Sequence, residues 1–138
     1  MDNKFFKTIL IPIVLVIANV NAQFLYGLLP SPAGEITFNM VRFSLYFWAG
    51  MRITSLGTGN VRHAGKAGAV LLFIDHVVLR GGTFLFGTLL GNVTRKFGLM
   101  SFGGVLVSYL LFVWVAFLIG ALGGYWGRRF YQGQHAPT

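Results

Sequence analysis

Asp75, His76 and Arg80 lie in the middle of an apolar stretch that runs from about Ala67 to Gly91. A carboxylate, an imidazole and a guanidinium so close together could hold an ion pair, carry a proton or line an ion path. Water solvates such groups at a protein surface, whereas in a bilayer each costs several kcal/mol unless it faces protein or a water-filled cavity. What surrounds this cluster therefore decides what it can do.

The spacing of these residues limits how they can pair within one helix. Asp75 and Arg80 are five positions apart, which is about 140° around an α-helix, so they do not face each other. His76 and Arg80 are neighbours at i and i+4. Asp75 therefore needs a partner elsewhere. Arg42 is the best candidate within the chain, although it lies about 10 Å away in depth by rise per residue. The alternative is a group from another polypeptide.

Other polar residues recur at helical spacing along the neighbouring apolar stretches and form stripes that should not face lipid. One stripe holds Glu35, Asn39, Arg42 and Tyr46, a second holds Asn19, Gln23 and Tyr26, and a third holds His76, Arg80, Thr83 and Gly87. We expect the stripes to turn toward one another or toward a partner subunit. Polar groups that bond across membrane helices contribute about 0.6–2 kcal/mol each, so a structural network and an ion path both remain open.

The composition indicates that lipid surrounds this cluster. Hydrophobic residues make up 55% of the 138-residue chain and charged residues 10%, whereas a soluble domain is about 25% charged. The net charge of +8 would point to nucleic acid in a soluble protein. Here the basic residues lie beside apolar segments, and retention on the cytoplasmic side of a membrane explains them better. We therefore expect a lipid bilayer and no nucleic acid as partner.

Four apolar stretches are long enough to cross a bilayer, which takes about 20 residues. They are Phe5–Leu29, Ile36–Leu56, Ala67–Gly91 and Met100–Tyr125, separated by turn-forming residues such as Gly57, Gly59 and Asn60. The predicted fold is all-α, a polytopic integral membrane protein with four transmembrane helices in a single domain, residues 1–138. The pair Gly81-Gly82 leaves open whether the third stretch crosses fully or re-enters.

The basic residues favour an orientation with both termini in the cytoplasm, and hence a multi-pass location in the cell inner (cytoplasmic) membrane. That side then holds seven basic residues, Lys4, Lys7, Arg52, Arg62, Lys66, Arg128 and Arg129, and the other side holds Arg95 and Lys96. The first stretch also has the pattern of a signal peptide, with Val20-Asn21-Ala22 before Gln23 as the cleavage site. We favour a retained anchor helix, and cleavage in the cell stays an alternative.

Glycine pairs with four-residue spacing indicate close helix packing, because a missing side chain lets two backbones approach. The pattern occurs at Gly87 and Gly91, at Gly120 and Gly124, and at Gly123 and Gly127. We predict that these faces pack against other helices, either within the chain or between subunits.

Enzyme chemistry has little support in the sequence. The chain has no Cys, which excludes disulfides, thiolate metal sites and cysteine nucleophiles. A zinc or haem site needs several ligands, and of the three histidines His76 alone lies in an apolar stretch. No phosphate loop or dinucleotide fingerprint occurs. We expect a protein that is not an enzyme and that holds neither a metal nor a cofactor.

Two functional hypotheses follow from these features. The first, which the sequence favours, is a small non-catalytic subunit of a larger membrane complex, of secretion or respiratory type, because unbalanced polar stripes and glycine-rich faces favour a partner. The second is a small oligomeric ion or proton channel or transporter with a path lined by Asp75, His76, Arg80 and Arg42. The small size and basic cytoplasmic end also allow a membrane-permeabilising protein of the holin type.

Overall fold

The computed structural model describes residues 3–76 and 99–134, and every regular element in these two segments is a helix. The helices are α1 Asn3–Asn21, α2 Gln23–Tyr26, α3 Ala33–Ser55, α4 Val61–Phe73 and α5 Leu99–Gln134. A π-helical turn at residues 74–76 directly follows α4. The predicted all-α fold class is confirmed for this part of the chain.

The helix boundaries differ most from the predicted spans at three places, one of which is the end of α5 at Gln134 instead of Tyr125. The first apolar stretch is divided, because α1 ends at Asn21 and the four-residue α2 follows after a turn. The helix predicted from Ala67 begins at Val61 instead, and the Asn60 side chain caps it by accepting a hydrogen bond from His63 N at 3.1 Å. The remainder of the third predicted span lies outside the described residues.

Two of the described helices are long and apolar enough to cross a membrane, α1 and the segment Leu110–Gln132 of α5. Only 33% and 28% of their most apolar windows are buried, whereas the core helix of a soluble protein is mostly buried. Helix α3 has the length, with 23 residues, but it carries Glu35, Arg42 and Arg52 and does not reach the same mean hydropathy. The four-span arrangement therefore stays a prediction.

Helices α3, α4 and α5 pack through glycine at close backbone distance. A Cβ atom at Gly50 of α3 would collide with the carbonyl oxygen of Gly120, and one at Gly120 would collide with the carbonyl oxygen of Ala64 in α4. A Cβ at Gly123 would collide with the carbonyl oxygen of Phe47. Gly120 thus lies where three helices meet, and any larger residue there would push them apart.

One end of the helix bundle collects the start of α1, the α3–α4 turn and the end of α5. Thr8 Oγ1 lies 3.4 Å from Thr58 Oγ1, and a Cβ at Gly57 would lie 3.6 Å from the Tyr131 ring. Gly57 has φ +64°, a conformation that glycine adopts at little cost. The seven basic residues assigned to the cytoplasmic side, Lys4, Lys7, Arg52, Arg62, Lys66, Arg128 and Arg129, lie in the helix turns at or near this end, which we call the basic end.

Helix α1 is held to α3 partly through a backbone group that a proline leaves open. Pro12 lies inside α1 and has no N–H, so the carbonyl oxygen of Thr8 lacks its usual helical donor. Arg52 Nε of α3 donates to that oxygen at 3.4 Å, and the Arg52 guanidinium lies 5.1 Å from the centre of the Trp48 ring. A side chain from α3 thereby satisfies a backbone acceptor of α1.

Candidate functional site

The candidate site begins with two side chains that project from one face of α3 into the bundle. Arg42 and Tyr46 are one helical turn apart, and they are 7% and 0% exposed. The π-helical turn after α4 brings Asp75, which is 0% exposed, and His76 to the same place. We call these four residues the charge cluster. A π-turn adds a residue to the helical turn and re-aims the side chains that follow it.

Asp75 is the acceptor at the centre of the charge cluster. Its Oδ2 atom lies 2.6 Å from Arg42 Nε, and the Tyr46 hydroxyl donates to the same oxygen at 3.0 Å. The Tyr46 hydroxyl in turn accepts from Arg42 Nε at 3.0 Å. The guanidinium, phenol and carboxylate therefore form a closed triangle in which two charge-assisted hydrogen bonds of the Tyr46 hydroxyl reinforce the ion pair.

His76 joins the cluster on the side facing α5. Arg42 Nη2 lies 2.9 Å from both ring nitrogens, and His76 Nδ1 lies 3.5 Å from Asp75 Oδ2. A neutral imidazole has one donor and one acceptor nitrogen. The arrangement in which Nδ1–H faces Asp75 and Nε2 accepts from Arg42 satisfies both neighbours. The His76 ring also stacks on Phe112 of α5, with centroids 6.2 Å apart and an interplanar angle of 23°.

The direct contact between Arg42 and Asp75 depends on where α4 begins. Arg42 lies 13 positions before the end of α3 at Ser55, about 20 Å along the axis at 1.5 Å per residue. Asp75 lies 14 positions after the start of α4 at Val61, about 21 Å along the axis. The two residues are thus at nearly equal depth. The 10 Å offset expected from the sequence was wrong, because it counted from Ala67.

Removing two charges from water costs more than their attraction returns unless further hydrogen bonds satisfy them. Here Tyr46 supplies one such bond to the carboxylate, and the Asn39 side chain accepts from Arg42 Nη1 at 3.3 Å. Such a cluster contributes little net stability, but losing one charged partner leaves the other buried and costs about 3–5 kcal/mol. An arrangement of α3 and α4 that separated Arg42 from Asp75 would therefore be disfavoured.

A polar cleft of about 420 Å³ leads to the charge cluster from the end of the bundle opposite the basic end. It is lined by residues of α2, α3 and the turn between them: Gln23, Tyr26, Gly27, Gly34, Glu35, Phe38, Asn39 and Arg42. The Tyr26 hydroxyl donates to Asn19 Oδ1 at 2.8 Å, which ties α2 to α1. A Cβ at Gly34 would collide with the Tyr26 carbonyl oxygen, so α2 packs tightly on the start of α3.

The structure brings together some of the residues singled out from the sequence. Asp75, His76 and Arg42 are in contact, Asn39 joins them through Arg42, and the exposed Glu35 lines the cleft. The helix-packing residues Gly120 and Gly124 lie in the glycine-packed core, where Gly124 abuts Ala64. Three further predicted site residues, Arg80, Gly87 and Gly91, lie outside the described residues.

Several residues of the site and core were not among the functional or helix-packing residues predicted from the sequence. Tyr46 was placed in the polar stripe but not among the site residues, although its hydroxyl contacts both charged partners. Tyr26 lines the cleft. Gly50 and Gly68 contact α5 without belonging to an obvious glycine pair. The i, i+4 spacing of Arg42 and Tyr46 was the available signal for the first of these.

Within residues 3–76 and 99–134, no group of three or more His, Cys, Asp or Glu side chains could hold a metal ion. Comparisons with protein-family models, with curated proteins and with solved structures gave no match. The part of the chain that the structure describes is all-helical, and two of its helices are long and apolar enough to cross a membrane.

Proposed function

We propose that the chain is a multi-pass protein of the inner (cytoplasmic) membrane, with four crossings and both termini in the cytoplasm. The apolar faces of α1 and α5 support this topology, since Leu10, Val14, Leu118 and Leu122 are each more than half exposed. Seven basic residues gather at one end of the bundle, as expected for a cytoplasmic end. Retention of α1 belongs to this proposal and is supported by its contacts with Arg52 and Thr58.

The charge cluster lies at membrane depth in this arrangement. Asp75 is about 21 Å of helix rise from the start of α4, and the hydrocarbon layer is about 30 Å thick. Ionisable groups at such depth face protein or water, and they mark ion, proton or substrate paths in many membrane proteins. The cleft supplies a water-accessible route to Arg42 from the side opposite the basic end.

Within this topology, we propose that the protein is a small oligomeric channel or transporter for an ion, a proton or a small polar solute. The observation that carries the proposal is the polar cleft that ends at the buried Arg42–Asp75 pair. A purely structural ion pair needs no opening to water, because its partners satisfy each other. Arg80 was predicted to line the same path and lies outside the described residues.

Flux into liposomes tests this function directly. The purified protein is reconstituted into liposomes that contain a pH-sensitive dye, which reports proton movement. The movement of other ions is followed over the same range of pH values. We expect flux that the double substitution Arg42→Met/Asp75→Leu abolishes, because it removes both charges and leaves neither one unpaired. The control is Leu122→Val on the exposed face of α5, which should keep the flux. The absence of movement of any ion or proton at every pH would contradict the proposal.

A second candidate is a non-catalytic subunit of a larger membrane complex, of secretion or respiratory type. It is favoured by the outer face of α5, where Leu110, Trp114, Leu118 and Leu122 follow a four-residue spacing and are each more than half exposed. Part of the two sequence features that first favoured a partner has contacts inside the chain, because Gly120 and Gly124 pack against α3 and α4 and Asp75 contacts Arg42. The other members, Arg80, Gly87 and Gly91, lie outside the described residues. This candidate is therefore the weaker of the two.

Lipid and a protein partner respond differently to a change of shape on that face. Lipid tails adapt to a smaller side chain, whereas a packed protein interface loses contacts. We would purify the wild type and the Trp114→Ala variant in mild detergent and identify co-purifying proteins by mass spectrometry. A subunit role predicts a complex of defined size that Trp114→Ala weakens. A protein that elutes alone or only with copies of itself argues against this candidate.

A further inference from the structure

We propose that the polar cleft binds a small zwitterionic group, an ammonium joined to a phosphate or carboxylate, with the anion at Arg42 and the ammonium near Glu35. The inference rests on the proposed function, because it names the class of molecule that the same cleft takes. Its test measures binding without transport, so the two can fail separately.

The size of the cleft matches a small ligand. Ligand sites occupy about 300–1,000 Å³ and place a few polar groups within a partly apolar wall. The cleft has a volume of about 420 Å³, and its wall combines the rings of Tyr26 and Phe38 with the side chains of Gln23, Glu35 and Asn39. The two rings meet edge to face, with centroids 5.5 Å apart, which gives the wall a defined shape.

Arg42 provides the anion-binding end. A guanidinium has five N–H donors. Contacts within the described residues use Nε for Asp75 and Tyr46, one Nη1 hydrogen for Asn39 and one Nη2 hydrogen for His76. Among residues 3–76 and 99–134, no partner takes the second hydrogen on either terminal nitrogen, so one hydrogen on each is left for a ligand. Because Arg42 lines the cleft, an anion there can accept from both of them, which is the geometry that a phosphate or carboxylate suits.

A simple anion does not fit the charges of the cleft. Asp75 already balances Arg42, and the Glu35 carboxylate lines the same cleft and repels a second negative charge. If the ligand also carries an ammonium group, that group can form an ion pair with the Glu35 carboxylate, and the carboxylate then attracts the ligand. Tyr26 and Phe38 are aromatic residues of the cleft wall, and an ammonium that lies over either ring face would gain a cation–π attraction.

The spacing along α3 favours a ligand whose charges are several bonds apart. Glu35 and Arg42 are seven positions apart, which is about 10 Å of helix rise. A ligand whose two charges are several bonds apart spans more of that rise than an α-amino acid, whose charged groups are attached to one carbon atom. Phosphoethanolamine has the required chemistry and can come from two sources, the head group of a membrane lipid or a free solute.

Calorimetric titration of the purified protein, in a detergent that carries no phosphate or amine, tests the binding. The probes are phosphoethanolamine, inorganic phosphate and ethanolamine. We expect phosphoethanolamine to bind at least about tenfold more tightly than either fragment, because it engages both ends of the cleft at once. Equal binding of phosphoethanolamine and phosphate would overturn the proposal, and so would no binding of any probe.

Single substitutions test which residue binds the phosphate of the ligand and which binds its ammonium group. Glu35→Gln keeps the shape of an exposed side chain and should weaken phosphoethanolamine binding by about fivefold while leaving phosphate binding equal or tighter. Arg42→Lys keeps the charge but loses the planar fork, and we expect about tenfold weaker binding of both probes. The control is Thr37→Ala, since Thr37 is exposed, lies outside the cleft and donates to the Ala33 carbonyl oxygen.

The Glu35 variant keeps the test valid even if Arg42→Lys fails to fold, because the Glu35 side chain supports no helix contact in the structure described. Unchanged phosphoethanolamine affinity in Glu35→Gln would contradict the zwitterion assignment. Native mass spectrometry of the protein from lipid nanodiscs shows whether the bound phosphoethanolamine group belongs to a membrane lipid or to a free solute. Retained phosphatidylethanolamine, but not phosphatidylglycerol, identifies a lipid head group, whereas binding of the free probe alone identifies a solute. Binding without flux would remove the transport proposal and leave the site.

Discussion

The two halves of the helix bundle are stabilised by opposite means. Toward the basic end, α3, α4 and α5 approach through glycines such as Gly120 and Gly123, and their contacts are mostly apolar and backbone to backbone. Toward the other end, the same α3 and α4 meet through the ion pair of Arg42 and Asp75, and an open cleft lies beside them. In the first half, glycines without side chains let the helices approach closely. In the second half, an ion pair and hydrogen bonds join polar side chains.

This difference indicates a division of roles. Close glycine packing gives dispersion contacts that leave no room for water or a ligand. A buried charge cluster gives little net stability, and the loss of one charged partner is strongly destabilising, so it is not suited to a structural scaffold. Such clusters are common at membrane sites that bind or transport polar species. We therefore propose that the glycine-packed half positions the helices and that the charge cluster contacts the polar species that the protein binds or moves.

The largest effect should come from removing one charge of the cluster. In Asp75→Leu, the Arg42 guanidinium stays buried without its carboxylate, and we expect a loss of about 3–5 kcal/mol in the free energy of unfolding. The measurement is thermal or denaturant unfolding in detergent, followed by size-exclusion chromatography.

The double substitution Arg42→Met/Asp75→Leu is the matched control, because it removes both charges and keeps apolar volume. It should recover most of the stability lost in Asp75→Leu. A double variant as unstable as the single one would mean that the Arg42–Asp75 pair itself holds the fold, and the division between the two halves would then be wrong.

The next largest effect should come from filling the glycine contact of the three helices. Gly120→Val adds a branched side chain where a Cβ already meets the carbonyl oxygen of Ala64, and we expect a loss of about 2–3 kcal/mol. The control is Leu122→Val, two positions further along α5 and 55% exposed, which should stay within about 0.5 kcal/mol of wild type. Equal unfolding curves for Gly120→Val and wild type would show that the helices are not in close contact there.

The sequence predicts much of the glycine-packed half and less of the other half. Apolar length and the spacing of Gly120 and Gly124 are local patterns, and they directly favour helices that pack closely. The start of α4 was harder to predict, because Arg62, His63 and Lys66 made its first two turns look like a loop. The cap residue Asn60 was the signal that marked the true start, and it also sets the depth of Asp75 relative to Arg42.

The cleft could not be predicted from the sequence for a different reason. It exists because the chain turns after α1 and places α2 against the start of α3, where Tyr26 packs on Gly34. Nothing in the local pattern separates this from one continuous helix to Leu29, since residues 23–29 are mainly apolar and helix-compatible. The division is accompanied by a local hydrogen bond from Tyr26 to Asn19 and by the packing of Tyr26 on Gly34 of α3, and the spacing of these residues permits both contacts but does not require them.

Removing one hydroxyl group from each half measures how much its polar bonds contribute, and we expect the larger effect in the charge cluster. Tyr46→Phe keeps the buried ring but removes the donor to Asp75 and the acceptor for Arg42 Nε. We expect a loss of about 1–2 kcal/mol, since both partners are buried and charged. Unfolding in detergent measures it, and a loss below about 0.5 kcal/mol would indicate that water enters the cluster and replaces the hydroxyl.

The smallest effect should come from the corresponding deletion in the glycine-packed half. Thr54 Oγ1 of α3 donates to the carbonyl oxygen of Gly124 in α5 at 2.7 Å, and Thr54→Val removes this bond while keeping the branched shape. The Gly124 carbonyl lies inside α5, which continues to Gln134, so its helical donor remains and no acceptor is left unsatisfied. The expected loss is therefore only about 0.6 kcal/mol, the average for hydrogen bonds between membrane helices. If Thr54→Val cost as much as Tyr46→Phe in the same unfolding assay, polar bonding would matter equally in both halves, and the contrast between a glycine-packed scaffold and a polar site would fail.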